Sequence, residues 1–284
     1  MRALSVPEPA AVGAAAAIEF CAVVFTVQQT PSRMEGVAPS GIPTQARRLL
    51  NGISLQIDAG TTVALLGRSG SGKTTLLRTV NGLVRPDGGS VFVDGSDVSR
   101  ADLRTLRRSI GYVIQETGLY PHMSVERNVS MPLELAGSPP DEQKHRAAEL
   151  LDMVGLPAGQ FAGRMPWQLS GGQRQRAGVA RALATNPAIL LLDEPFGALD
   201  PLTRAEMQTL LRDLLGKLRG GSQTGTTALI VTHDLQEAIF LAQRVVFIQE
   251  GRVAADLPSH EVLTSTVPTV QEYVRAVQRF QAAG

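Results

Sequence analysis

The chain has 284 residues, of which 43% are hydrophobic, so it can bury a sizeable core in one large domain or two small ones. A formal net charge of +1 provides no overall field that would attract nucleic acid or an anionic membrane surface. The single cysteine, Cys21, excludes an internal disulfide and is compatible with a reducing compartment.

The N-terminal region could contain a signal peptide or membrane span, or it could contain the first strand. Residues 10–27 are largely apolar, but Glu19 interrupts them, and a membrane span needs about 20 uninterrupted apolar residues. We therefore expect a flexible tail over residues 1–17 and a first strand over residues 18–27. No other stretch is apolar enough to cross a bilayer, so a role at a membrane would depend on a partner.

Strands alternate with helices along the rest of the chain. After a proline- and glycine-rich loop at residues 28–45, strands are predicted at residues 49–57, 62–66, 90–93, 110–114, 189–192, 228–231 and 244–249. Helices are predicted at residues 75–80, 173–185, 201–218 and 234–242. This order is typical of a mainly parallel sheet with right-handed crossovers.

Residues 116–176 are predicted to be a helical insertion between two core strands. Ser138 is expected to cap a helix that begins with two prolines, and Gly155 is expected to end it. The apolar residues between them recur at helical spacing: Ala147, Leu150, Leu151 and Val154. Residues 256–284 form a tail with room for one or two helices, which leaves residues 18–255 as the main domain.

A phosphate-binding loop follows the predicted strand at residues 62–66. Its form is G-x-x-x-x-G-K-[ST], and the helix that follows supplies the N-terminal dipole that attracts an anion. Lys73 is expected to reach the β- and γ-phosphates of a nucleotide, and the Thr74 hydroxyl to ligate Mg²⁺. The strand and helix on either side favour this interpretation over an ordinary glycine-rich turn. The residues expected to line the site are Gly67, Arg68, Ser69, Gly70, Ser71, Gly72, Lys73, Thr74 and Thr75.

Two carboxylates follow the apolar run at residues 189–192. Asp193 is expected to hold the Mg²⁺ shell, as acidic residues at such strand ends do in phosphoryl-transfer sites. Glu194 is then placed to orient or deprotonate an attacking water. The alternative is that these two acids are solvated residues at the end of an ordinary strand. Their combination with the phosphate loop favours the catalytic interpretation.

The stretch Leu169-Ser170-Gly171-Gly172-Gln173 reads by itself as a helix N-cap. Together with the two motifs above, however, it gives the chain a sequence that resembles the ATPase subunits of ABC transporters. The resemblance covers residues 18 to about 252. It implies that Ser170, Gly171, Gly172 and Gln173 contact the γ-phosphate of ATP held by a second copy of the chain.

The resemblance assigns roles to three further positions. Gln115 matches the family's Q-loop glutamine, which contacts Mg²⁺ and the attacking water. Ala198-Leu199-Asp200 matches the D-loop, and His233 matches the switch histidine near the γ-phosphate. The implied catalytic residues are Glu194, His233 and Gln115, and the implied metal ligands are Thr74, Gln115 and Asp193.

The same resemblance implies an α/β fold: a P-loop NTPase core with a mainly parallel sheet, an N-terminal antiparallel β-subdomain and an inserted helical subdomain. It implies ATP and Mg²⁺ as cofactors, a homodimer with two shared ATP sites, and attachment to transmembrane permease subunits at the cytoplasmic face of the cell membrane. A substrate-binding protein would be an indirect partner, and no nucleic acid is expected. Tyr120 and His122 are either part of the permease contact or simple surface residues.

Residues 110–125 and 193–204 look like the ATPases of osmoprotectant importers, which carry glycine betaine, choline or carnitine. An exporter, an importer of taurine, nitrate or a lipid, and a soluble ABC ATPase that acts as an ATP-driven clamp remain alternatives. A nucleotide-sensing regulator without turnover is a third class, which the intact Asp193, Glu194 and His233 disfavour.

The base of the nucleotide is a separate question. The family usually stacks adenine on an aromatic residue at the end of the first strand, and alignment puts Val27 there. Phe25 lies on the same face as Val27 but two residues before the position at which the base would stack. Strict alternation would place the following residues on the core side: Ile18, Phe20, Ala22 and Val24. We therefore expect weak discrimination between ATP and GTP.

Overall fold

The computed structural model describes residues 16–29, 45–115, 118–197, 199–220 and 225–282. In this part of the chain the strands are β1 (Ala16–Gln29), β2 (Gln45–Asp58), β3 (Thr62–Leu66), β4 (Gly88–Val93), β5 (Ser96–Asp97), β6 (Ile110–Val113), β7 (Ile189–Asp193), β8 (Thr227–Thr232), β9 (Arg244–Gln249) and β10 (Arg252–Pro258). The α-helices are α1 (Lys73–Val80), α2 (Leu103–Ser109), α3 (Val125–Ala136), α4 (Pro140–Met153), α5 (Ala158–Phe161), α6 (Gly171–Ala182), α7 (Pro201–Gly220), α8 (Leu235–Leu241) and α9 (Pro268–Ala282).

The strands described above form two sheets. The first is antiparallel and has the order β2-β1-β4-β5. The second has the order β10-β9-β3-β8-β7-β6 and is parallel except at its edge, where β10 runs antiparallel to β9. Every residue of β3, β7 and β8 is buried, as expected for parallel strands that are covered on both faces. The predicted α/β class, with its antiparallel subdomain and parallel core, is confirmed.

Within the described part of the chain, three apolar clusters hold the layers together. One fills the space between the two sheets and includes the buried face of α1. A second joins α3, α4, α6 and α7 to the parallel sheet. A third packs α8 and α9 against β3 and β9. The phosphate loop lies between β3 and α1, so the sheet and its buried helix fix its position.

The alternation predicted for the first strand is correct up to Phe20 and wrong beyond it. Ile18 and Phe20 are buried, but Ala22 is exposed with φ of 49°, and the pairing of β1 with β2 shifts between Phe20 and Val23. Val23 therefore occupies the core position, and Val24 is only partly buried. A bulge of this kind moves all later side chains of a strand to the opposite face.

The helical insertion between β6 and β7 is present and consists of α3, α4, α5 and the start of α6. Ser138 is not the cap that was predicted, because Pro139 occupies the N-cap position of α4. Ser124 instead caps α3, accepting a hydrogen bond from the backbone N–H of Arg127. Helix α6 ends at Ala182 instead of residue 185, since Leu183 is its C-cap.

The C-terminal tail is folded, as the prediction of one or two helices requires. A 3₁₀ segment, Ser259–Thr264, precedes α9, and Val270 and Val274 of α9 are buried against the sheet. The prediction that β9 is the last strand is wrong, because β10 follows it and continues beyond residue 255.

The predicted N-terminal tail and the loop at residues 28–45 fall almost entirely outside the described residues. Gln28 and Gln29 belong to β1, and Gln45 belongs to β2. Within the described residues, no helix combines the length and the apolar character needed to traverse a lipid bilayer.

Candidate active site

The phosphate loop has a backbone that only glycine can form at its critical turn. Gly72 has a φ of 100°, in the left-handed region, and a Cβ there would lie 2.5 Å from the carbonyl oxygen of Leu49. Gly72 is also the N-cap of α1, and no side chain among the described residues caps the helix at that position. The first-turn N–H groups of α1 are therefore directed at the loop and can bind an anion.

Lys73 is the cation of this loop. Its side chain is almost fully buried, and Nζ donates to the carbonyl oxygens of Gly67 at 2.8 Å and Arg68 at 3.0 Å. Burial lowers the pKa of Lys73, and the nearby carboxylates of Glu194 and Asp193 oppose that shift. The ammonium is thus held over the loop in a position from which it can meet a phosphate.

A phosphate group fits the loop. The Ser71 hydroxyl is buried and has no hydrogen-bond partner among the described residues, so its O–H lacks the acceptor that a phosphate oxygen would supply. The Arg68 side chain is 84% exposed and lies 3.5 Å from Glu272 of α9, while its backbone carbonyl oxygen accepts from Lys73. Ser69 and Gly70 are exposed at the tip of the loop, and Thr75 is partly buried in α1.

Asp193 meets the loop at the end of β7. Its carboxylate is completely buried, and Oδ1 accepts a hydrogen bond from Thr74 Oγ1 at 2.7 Å. A hydroxyl and a carboxylate in contact are a ligand pair that suits Mg²⁺. Gln115, the third residue expected at the metal, contacts Glu194 instead.

Glu194 lies next to Asp193 in a left-handed backbone conformation, with φ of 44°. Its backbone N–H donates to the carbonyl oxygen of Val231 at 3.0 Å, which anchors the turn to β8. Glu194 Oε2 lies 3.4 Å from Gln115 Nε2 and 3.5 Å from His233 Nδ1. The three predicted catalytic residues therefore meet at one carboxylate oxygen, although they are far apart in sequence.

Two residues that the sequence analysis missed complete the surroundings of Asp193. Arg78 Nη2 and the Tyr112 hydroxyl each lie 3.2 Å from Asp193 Oδ2. Arg78 occurs four residues after Thr74, so both lie on one face of α1. This spacing is the signal that could have identified Arg78; Tyr112 offers none beyond its position in β6.

Glu237 is a third missed residue. Only 7% of it is exposed, and Thr232 Oγ1 donates to its carboxylate at 2.6 Å. Burial raises the pKa of Glu237 to about 7. Because Thr232 precedes His233 directly, this carboxyl group supports the turn that carries the histidine.

The Ser170 motif is a well-formed helix start. Ser170 Oγ accepts from the backbone N–H of Gln173 at 3.2 Å, and Gln173 Oε1 accepts from the N–H of Ser170 at 3.0 Å. Gly172 packs so closely on the Thr203 side chain that a Cβ would clash with it. Gly171 is partly buried, in contrast to the exposed Ser170.

Asp200 caps the start of α7, where Oδ1 accepts from the backbone N–H of Thr203 at 3.1 Å. Hydrogen bonds from Thr203 lower the pKa of Asp200. Among the described residues, no hydrogen bond joins the Ser170 motif or Asp200 to the phosphate loop. The predicted site residues thus form two groups in one chain; Ala198, between them, lies outside the described residues.

A family model described as ABC transporter matches residues 50–197, which include the phosphate loop, Asp193 and Glu194. The chain belongs to the ABC transporter ATP-binding family. The matched range also contains the Ser170 motif.

Curated relatives include two kinds of importer ATPase. The glycine betaine/carnitine/choline transport ATP-binding protein of Bacillus subtilis is 41% identical over 80% of this chain and 58% of its own length. The methionine import ATP-binding protein of Mesorhizobium japonicum is 45% identical over 74% of this chain and 56% of its own length. The chain spans less than two thirds of the length of these ABC relatives.

Solved ABC structures share the fold. A dimeric post-hydrolysis ATP-binding cassette bound to ADP and Pi has a TM-score of 0.72 and 32% identity, covering 85% of this chain and 98% of its own. A dimeric bacterial ABC transporter cassette is similar at a TM-score of 0.72 and 33% identity, with the same coverage.

Proposed function

We propose that this chain is the ATP-hydrolysing, nucleotide-binding subunit of an ABC transporter that powers uptake of a small solute. The observation that carries the proposal is the meeting of Gln115, His233 and Glu194 beside a buried Asp193 and the phosphate loop. This combination suits phosphoryl transfer to water, and it is more than a nucleotide-binding module or a nucleotide sensor needs.

Each side chain has a definite task in this scheme. Mg²⁺–ATP, when bound, supplies the scissile phosphoanhydride and neutralises its charge. Lys73 and the N–H groups of α1 bind the phosphates, while Thr74, Asp193 and Gln115 would hold the metal ion. Glu194 Oε2 accepts a proton from water, and His233 positions that carboxylate relative to the γ-phosphate.

The two separate groups of site residues support a shared site. Ser170, Gly171, Gly172, Gln173 and Asp200 have no hydrogen bond to the phosphate loop of their own chain among the described residues. In a homodimer they would face the loop of the other copy and close the site from the opposite side. Both solved relatives described above are dimers. ATP binding would then join the two copies, and hydrolysis would separate them.

A groove beside the site suits the transmembrane permease. Its cavity of ≈ 770 Å³ lies between α2, β6 and α3 and continues to Ile114, the neighbour of Gln115. One wall carries Tyr120 and Leu135, which are 44% and 62% exposed, and the other carries arginines of α2. We propose that an apolar segment of a permease with acidic flanks binds this surface, with the chain at the cytoplasmic face of the membrane. The Tyr120 ring also lies edge-on to His122, at 6.1 Å between centroids.

The transported solute is proposed to be a quaternary-amine osmoprotectant, delivered by a substrate-binding protein. Relatives for glycine betaine, choline and carnitine support this choice. Methionine is the second candidate, because a methionine importer ATPase is 45% identical. Import of taurine, nitrate or a lipid, and export, are further alternatives, because the solute is bound in partner chains.

Co-purification of the tagged chain from its native membrane tests the assignment. A multi-span membrane protein in the complex, with ATPase activity stimulated by glycine betaine in the presence of the binding protein, is the expected result. Stimulation by methionine would change the proposed solute and leave the transporter assignment intact. Recovery of the chain on nucleic acid, without a membrane partner, would contradict the transporter and favour an ATP-driven clamp.

Base recognition is expected to be weak. Val27 pairs with Arg47 across β1 and β2, and Arg47 Nη2 donates to the carbonyl oxygen of Gly70 at 3.2 Å, so this strand end lies beside the phosphate loop. Phe25 packs against the core between the two sheets. We expect GTP to be used nearly as well as ATP, and Val27→Tyr to tighten ATP binding by about 1–3 kcal/mol, the value of one base–aromatic stack.

Competition between labelled ATP and unlabelled GTP measures this discrimination, with Phe25→Ala as the matched variant on the same strand face. Phe25→Ala should lower the free energy of unfolding and leave ATP affinity almost unchanged. A large loss of ATP affinity in that variant would show that Phe25, and not position 27, contacts the base.

A further inference from the structure

Asp193 is hydrogen-bonded through both carboxylate oxygens. Oδ1 accepts from Thr74 Oγ1 at 2.7 Å, and Oδ2 accepts from Arg78 Nη2 and from the Tyr112 hydroxyl, both at 3.2 Å. Arg78 Nε also donates to the Tyr112 oxygen at 3.2 Å, so these three side chains close a ring around Oδ2. The two oxygens therefore have different partners: a phosphate-loop hydroxyl on one side and a permanent cation on the other.

When no metal is bound, the positive charge of Arg78 compensates the buried negative charge of Asp193. The Asp193 side chain is 0% exposed, and a buried carboxylate without a compensating charge is strongly destabilising. The Arg78 side chain is 43% exposed and contacts Asp193 from the neighbouring turn of α1. The guanidinium is always protonated. Lys73 also lies near Asp193, but its described hydrogen bonds go to loop carbonyl oxygens.

Tyr112 connects Arg78 to Asp193 within the ring. The Tyr112 hydroxyl donates to Asp193 Oδ2 and accepts from Arg78 Nε. Since Tyr112 belongs to β6, three residues before Gln115, the ring joins the base of the Gln115 turn to α1 and β7.

We propose that Arg78 is the built-in counter-ion of Asp193, which stabilises the metal-free protein and lowers the affinity of the site for the divalent cation of the nucleotide. The inference rests on the proposed function, because it takes Asp193 as part of the metal site. A guanidinium and a divalent cation that share one carboxylate repel each other even at an effective dielectric constant of about 20. The site therefore keeps its shape without metal and releases the metal more readily.

A purely orienting role for Arg78 predicts the opposite sign. If Arg78 only held the carboxylate in position, its loss would let Asp193 turn away and would weaken metal binding. A counter-ion role predicts tighter metal binding when the positive charge is removed, together with lower stability when metal is absent. The sign of the change in metal affinity therefore distinguishes the two.

The experiment compares four full-length variants with the wild type: Arg78→Met, Arg78→Gln, Arg78→Lys and Arg85→Met. Electron paramagnetic resonance measures Mn²⁺ affinity at saturating ADP, and thermal unfolding is followed with EDTA and with Mn²⁺–ADP. Arg78→Gln keeps a donor for Asp193 and serves if Arg78→Met does not fold. Arg85 is exposed, so Arg85→Met removes an equal charge away from Asp193.

Arg78→Met and Arg78→Gln should bind Mn²⁺ about tenfold more tightly than the wild type, because one repulsive charge is gone. In EDTA, both should unfold several degrees earlier, and Mn²⁺–ADP should recover most of that difference. Arg78→Lys and Arg85→Met should resemble the wild type.

Unchanged or weaker Mn²⁺ binding in the neutral variants, or tighter binding in Arg78→Lys as well, would overturn the counter-ion role. Absence of Mn²⁺ binding to the wild type in the presence of ADP would overturn the proposed function itself.

Discussion

Glu194→Gln is expected to retain ATP binding and to lose at least about 99% of the hydrolysis rate, since a positioned general base contributes roughly 10²–10⁴-fold. The amide keeps the size and one acceptor of the carboxylate, so the contacts of Gln115 and His233 at this position can survive in part. An amide cannot accept the proton of water at neutral pH. The ATP-bound pair of chains should therefore persist and elute as a dimer from a sizing column with Mg²⁺ present.

Glu142→Gln is the matched control for this variant, because Glu142 is exposed in the first turn of α4, away from the phosphate loop. It should hydrolyse ATP at the wild-type rate and return to monomers as ATP is consumed. Near-normal turnover in Glu194→Gln would remove Glu194 from the role of base. His233 and Gln115 would then be the next residues to test.

The parts of the fold that were predictable are those with a strong local pattern. β7 and β8 are short apolar runs in which every residue is buried, and the loop before α1 combines a glycine pattern with a strand and a helix. In β10 the side chains alternate between exposed and partly buried, so the segment lacks the apolar run that revealed the other strands. The bulge at Ala22 was also invisible, because it depends on pairing with β2 and not on the residues of β1.

The residues of the candidate site also differ in how well the sequence predicts them. Lys73, Thr74, Asp193 and Glu194 lie in compact motifs, and their chemistry can be inferred from residue type and spacing. The ion pair between Arg78 and Asp193 joins positions 115 residues apart, and no motif connects them. Linear patterns therefore identify the groups that face the ligand, whereas the partners that keep those groups charged and fixed emerge only from the folded chain.

The central claim is that one ATP site is built from two chains, and mixing two inactive variants tests it. Lys73→Ala removes the ammonium from the phosphate loop, and Ser170→Arg places a bulky cation at the start of α6. In each homodimer both sites carry one lesion, so each variant alone should be inactive. In the heterodimer both lesions fall in the same site, and the other site is intact.

The measurement is ATP hydrolysis by an equimolar mixture of the two variants, with heterodimers verified by two different affinity tags. Random pairing makes half of the dimers heterodimers with one intact site each, so we expect about a quarter of the wild-type sites to be active. Recovery of activity well above both homodimers is the result that the shared site predicts. An inactive mixture in which heterodimers are abundant would mean that each site lies within a single chain and would contradict the account.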